Sequence, residues 1–138
     1  MGIFSFLRKK EKTIEVHSIG KLKYLNTKEG NFFFAYVKNE RIKQVYELFV
    51  YSESFKMPNE QIEYYDEIIN NWDTIAADIK TKLQKEKKII SDNLSLNIFG
   101  VNEKGKDSYD AALACSIDNL DFTVILKRFK IKEIEYNG

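Results

Sequence analysis

The chain carries one histidine, His17, and one cysteine, Cys115, separated by most of its 138 residues. Nucleophilic catalysis by a thiol needs a base within hydrogen-bond reach, and His17 is the only imidazole that Cys115 could meet. Cys115 lies in "AALACSI", among small and apolar residues, and reads as a core hydrophobe. His17 reads as an ordinary strand or loop residue. A lone His and a lone Cys cannot form the clustered ligand set that zinc requires, and no Asp-x-Asp-x-Asp-Gly loop offers a calcium cage. Glu63 and Glu67 stand one helical turn apart and could in principle share acid–base work. Carboxylates in the first turns of a helix more commonly complement its dipole. Neither Gly-x-Gly-x-x-Gly nor a Walker loop occurs. No catalytic, cofactor or metal residue is assigned, and the expectation is a non-enzymatic protein without a cofactor.

Charge gives no global guide to a partner. Lys and Arg number 22 against 21 Asp and Glu, a net charge of +1, so no overall field draws the chain to nucleic acid or to an acidic membrane. Local basic runs remain at Arg8 to Lys12, Lys80 to Lys88 and Lys127 to Lys132. Phe129 is a stacking platform in the last of them, as a single-stranded nucleic-acid site would need, but neighbouring Glu residues make a solvated surface the better reading. "MGIFSFLRKK" sets Ile3, Phe4, Phe6 and Leu7 beside Arg8, Lys9 and Lys10, which permits weak membrane-surface contact. Residues 1–12 are expected to be a tail or a lid, and 13–138 a single domain. The unpaired cysteine fits a reducing cytoplasm, no apolar run approaches the ~18 residues of a membrane-spanning helix, and charges that follow the apolar opening are misplaced for a signal peptide.

Hydrophobic residues make up 43% of the chain and aromatic residues 14%, with one proline and six glycines, which excludes disorder. "TIEVHSIGKLKYL" alternates as one bent strand or two short ones, "NTKEG" closes a hairpin into "NFFFAYV", and "KNER" turns the chain into "IKQVYELFVYS". After Pro58 the period changes. Ile62, Tyr65, Ile69, Trp72, Ala76, Ile79 and Leu83 recur at spacings of three and four and predict one long amphipathic helix over about 59–88, with Asn59 as its cap. "NLSLNIFGV", "SYDAALACSI", "LDFTVILKRF" and "KIKEIEY" return to strands. The expected fold is therefore α+β: a mainly antiparallel sheet of six to seven strands, with one long helix between two strand groups.

The strands around "SIGKLKY", the helix "EQIEYYDEIINNWDTIAADI" and the terminal "DFTVILKRFKIKEIEYNG" together resemble small cytoplasmic bacterial domains of the immunity-protein type. The resemblance spans roughly Glu15 to Gly138 and implies a protein that binds another protein, in the immunity case a toxin. It supplies no functional residue.

Strand parity places aromatic residues on both faces of the sheet, and one helix, about 10 Å across, covers only part of one face. The sheet could curl on itself, the N-terminal "IFSFL" could fold back as a lid, or a second molecule could dock, either another protein or a second copy of this chain. Phe33, Phe49 and Tyr51 are the expected partner contacts, because desolvated aromatic anchors concentrate binding energy. Replacing all three by serine is expected to abolish partner capture and leave folding intact.

Overall fold

The computed structural model describes residues 12–103 and 109–137. Four strands come first: β1 (Lys12–Val16), β2 (Gly20–Thr27), β3 (Gly30–Asn39) and β4 (Gln44–Tyr51). Helices α1 (Asn59–Asn70) and α2 (Trp72–Lys87) follow, and then β5 (Leu94–Val101), β6 (Ala111–Ile117), β7 (Leu120–Lys127) and β8 (Lys130–Tyr136). The strands form one eight-stranded sheet in chain order, from β1 to β8. Neighbours pair antiparallel throughout, except that β5 lies parallel to β4. A parallel pair needs a long crossover, and the two helices supply it.

This overturns the expected architecture of six to seven strands and one long helix. The N-terminal alternation resolves into two strands rather than one bent one, joined by a tight hairpin in which the Ile19 N–H donates to Val16 O at 3.0 Å. The helix predicted over about 59–88 is two helices, interrupted at Asn71, where ψ has moved to 20°. The Asn71 Nδ2 donates to the Glu67 carbonyl at 2.8 Å, and its backbone N–H reaches both Glu67 O and Ile68 O. An asparagine side chain that competes for backbone carbonyls weakens the helix locally. The cap is also different: Pro58 precedes the first turn, with no side-chain cap bond, and its carbonyl accepts from the Ile62 N–H at 3.0 Å. The apolar stripe itself runs unbroken across the interruption, through Ile62, Tyr65, Ile69, Trp72, Ala76, Ile79 and Leu83, joined by Ile68 and Ile75.

Both helices bury that stripe against one face of the sheet, onto Leu22, Phe33, Tyr46, Leu48, Leu96, Phe99, Leu113, Phe122 and Val124 among others. Tyr65 of α1 packs on Phe99 with ring centroids 5.0 Å apart. Its hydroxyl forms a buried hydrogen bond with that of Tyr46, which also accepts from Asn39 Nδ2 at 3.2 Å. Burial pushes the Tyr65 and Tyr46 phenols upward, so both are neutral at ordinary pH. Removing one partner of a buried hydrogen bond costs about 1–2 kcal/mol. A Tyr65→Phe substitution is accordingly expected to lower the unfolding free energy by that amount in urea titrations, without changing the slope.

Gln44 supplies the first link across the parallel junction. Its Nε2 donates to Leu94 O at 3.1 Å and its Oε1 accepts from the Leu96 N–H at 2.9 Å, extending the ladder ahead of the Glu47–Ile98 pair. The polar break in the β4 alternation therefore seeds β4–β5 pairing. A bulge between Leu96 and Ile98 then shifts the parity of β5, so that Leu94 and Leu96 before it and Phe99 and Val101 after it all face the helices. The β2–β3 hairpin turns on Gly30, whose φ of +135° disfavours any side chain.

Candidate interaction face

With both helices on one side, the other side of the sheet is built from the alternate residues of each strand. In β3 and β4 the register sets Phe32 opposite Tyr51, Phe34 opposite Phe49 and Tyr36 opposite Glu47. The rings meet edge to face or tilted: Phe34–Phe49 at 5.1 Å, Phe32–Phe49 at 5.2 Å and Phe32–Tyr51 at 5.8 Å between centroids. Such contacts are favourable beyond the burial of area. They half-bury Phe32, Phe34 and Phe49 against one another. Tyr36 remains 71% exposed, Val45 46%, Tyr51 40% and Ile98 37%.

Phe49 and Tyr51 therefore lie together on this face, and Phe33 does not. Phe33 is fully buried under the opposite face, opposite Val50 and beside Tyr24, with centroids 4.8 Å apart. Even-numbered residues of β3 stand across from odd-numbered residues of β4, so Phe32, Phe34 and Tyr36 are the true companions of Phe49 and Tyr51. Grouping Phe33 with Phe49 on parity alone assumed a register one residue away from the one that the turn Glu40 to Lys43 imposes. That turn is pinned by the Asn39 side chain, which accepts from the Arg41 N–H at 3.1 Å and the Ile42 N–H at 3.3 Å, and by the left-handed Lys43. The local signal for the correct grouping was the length of this turn.

Beyond Tyr51 the face changes character. Gly100 of β5, opposite Ala112 of β6, and Ala114, opposite Ile98, form a floor of small residues. With Tyr51, Ile98, Asn102, Tyr109 and Thr123 they line a trench of about 140 Å³. Gly100 needs no special backbone here, and a Cβ on it would sit 3.7 Å from both Ala112 O and Tyr51 Cε2, an ordinary contact. Among the described residues, β1 and β8 pair on one side only. Among the described residues no β1–β8 pairing closes the sheet into a barrel, and both helices lie on the far side.

The chain finds no match among protein-family models, curated proteins or solved structures. What the face can do therefore rests on its own chemistry.

His17 is exposed in the β1–β2 turn. Cys115 is buried in the core, and that burial pushes its thiol up to about 12, leaving it protonated and unreactive at neutral pH. Glu63 and Glu67 line the rim of an open cavity of about 730 Å³ with Glu60, Asp66, Asp110 and Phe129. Phe129 stacks on Tyr64 of α1, with centroids 4.7 Å apart, and the carboxylates around it repel a phosphate backbone. Lys80 pairs with Asp92 at 3.7 Å, Lys127 with Asp110 at 3.8 Å, and Lys87 lies 4.5 Å from the Tyr136 ring centre. These basic residues are distributed among separate partners. Among the described residues no group of three His, Cys, Asp or Glu is placed to hold a metal, and no helix is long and apolar enough to cross a membrane. Ile3, Phe4, Phe6, Leu7 and the run from Arg8 lie outside the described residues, apart from Lys12, which opens β1 and sits 5.7 Å from the Phe55 ring centre.

Proposed function

We propose that this is a non-enzymatic protein-binding domain whose contact surface is the open face of the sheet. The observation that carries the reading is the contiguous aromatic patch of Phe32, Phe34, Tyr36, Phe49 and Tyr51 on adjacent strands, facing away from both helices. Aromatic side chains bury about 150–250 Å² each when covered, so this patch approaches the size of several hundred Å² that marks an interaction surface. Tyr36 and Tyr51 present large rigid rings with few rotatable bonds, which suits them to be anchors. Neutralising another protein, the role implied by the immunity-type resemblance, is one use of such a face, and a reducing cytoplasm is its proposed setting.

A photo-crosslinking residue in place of Tyr36 tests this reading in extracts of cells that express the chain. The expected result is a discrete crosslinked protein species that disappears when Phe49 and Tyr51 are both serine, while cooperative unfolding persists. Absence of any protein adduct at Tyr36 overturns the reading.

A further inference from the structure

The aromatic patch belongs to an apolar row that begins beside the first strand. Leu25 of β2 stands opposite Phe32 of β3, and Phe32 opposite Tyr51 of β4. Leu25 is 39% exposed, and Tyr51 at the far end of the row borders the trench floored by Gly100, Ala112 and Ala114. β1 pairs with β2 from Val16 opposite Gly20 up to Lys12 opposite Tyr24, so the described chain enters the sheet one residue short of the level of Leu25. The entry point and the start of the row coincide. On the helix side of that corner the space is taken. Phe55 packs on Tyr24 and Phe33, with centroids 5.5 and 5.9 Å apart, and the Lys12 ammonium sits 5.7 Å from its ring centre. Among the described residues nothing fills the open side.

Resting on the protein-binding reading above, we infer that the open face has an occupant in the same chain, the apolar run of Ile3, Phe4, Phe6 and Leu7, which a binding partner displaces. Length carries the assignment. An extended chain advances about 3.3 Å per residue, so Leu7 and Phe6 reach about 17 and 20 Å from Lys12 and Phe4 about 26 Å. Strands lie about 4.8 Å apart, which puts Phe32 and Tyr51 about 10 and 14 Å from β1 and the trench about 19–24 Å away. Leu7 and Phe6 therefore span the aromatic rings, and Phe4 reaches the trench. The trench holds about 140 Å³, close to the roughly 150 Å³ cavity that accepts a benzene ring. Gly100, whose backbone needs no glycine, has a reason here, since glycine in a strand interior marks the close approach of another group. Charge agrees with the same route. Arg8, Lys9 and Lys10 fall within about 13 Å of Lys12, at the corner where the Glu53 and Glu103 carboxylates act on the Tyr24 hydroxyl. Lys23, opposite Thr13 on the open face, is the like charge nearby. A short tether gives an effective concentration of about millimolar, so few contacts hold the segment. It lifts without unfolding the domain, and global unfolding does not report it. Tyr36, further along β3 than Phe34, lies off this route and stays available to a partner.

A photo-crosslinking residue in place of Phe6, in the dilute purified full chain, tests the occupant by peptide mapping. The expected product is an adduct within one chain to β3, β4 or the trench, and its yield is expected to fall when Tyr51 is serine. An adduct to the loop around Phe55 or to either helix overturns the inference, as does the absence of any adduct. An adduct found only between two chains makes a second copy the occupant and also overturns it. The second measurement is the crosslink from Tyr36 to a partner protein. With Phe4 and Phe6 both serine, its yield is expected to rise about two- to tenfold, because the competent fraction of the face grows. An unchanged yield overturns the displacement. If neither chain gives a Tyr36 adduct, the protein-binding reading fails, while an intramolecular Phe6 adduct still establishes the occupant.

Discussion

Phe33→Ala is expected to lower the unfolding free energy by about 3–5 kcal/mol, the range for truncating a fully buried phenylalanine. Phe33 is 0% exposed and wedged between Tyr24 and Phe55, with ring centroids at 4.8 and 5.9 Å. Against a total stability of about 5–15 kcal/mol for a domain of ordinary size, that loss populates the unfolded state. Phe49→Ala and Tyr51→Ala remove rings that are only half-buried or exposed, and a cost of about 1 kcal/mol or less is expected for each in the monomer. Urea midpoints of the three single variants, measured on dilute protein, check the contrast. Comparable losses at all three positions would mean that the open face is sealed by something within the chain. The same contrast explains why replacing Phe33, Phe49 and Tyr51 together by serine does not probe binding: one of the three is core, and its loss destabilises the fold regardless of any partner.

Stability is expected to fall steeply in alkali, beginning with Cys115. Its thiol is raised from an ordinary value of 9.0 to about 12 by burial. In the unfolded chain the thiol loses its proton near pH 9, whereas in the folded chain it keeps it until about pH 12. Between those values the folded state holds more protons, so stability decreases with rising pH. It is undiminished below about pH 9. At 1.36 kcal/mol per tenfold change in acidity, the full interval amounts to a loss on the order of 4 kcal/mol. The phenols add to the fall from about pH 10 upward: burial raises Tyr64 to about 12 and pushes Tyr65 and Tyr46 up as well, and desolvation together with the Glu86 carboxylate that accepts its hydrogen bond raises Tyr136 to about 12. Urea midpoints at pH 7, 8, 9, 10 and 11 resolve the two contributions. Cys115→Ala is expected to remove the decline between pH 9 and 10 and leave that above pH 10. A wild-type profile that stays flat to pH 10.5 would show that the thiol titrates as if exposed.

Much of the architecture was legible because it depends on residues close together in the chain. The stripe from Ile62 to Leu83 identified a helical segment and its buried side, since side-chain direction along a helix follows from local geometry alone. Turns at "NTKEG" and Asp118–Asn119 were legible for the same reason, the latter now seen with Asp118 at φ 51°. The break at Asn71 had a local signal in the paired asparagines, but a continuous apolar phase on either side concealed it.

The amino-acid order by itself determined that this chain folds around a strand–helix–strand plan, that Cys115 belongs to the core, and that the sheet holds more aromatic surface than the helical segment can cover. Only the tertiary structure decided which rings are covered. A strand's own alternation assigns residues to two faces without saying which face is which. The choice is made when a turn such as Glu40 to Lys43 sets the register and the helices settle on one side. That is why Phe33 is interior, why Phe32, Phe34 and Tyr36 join Phe49 and Tyr51 outside, and why Gly100, Ala112 and Ala114, scattered in sequence, form one trench beside them.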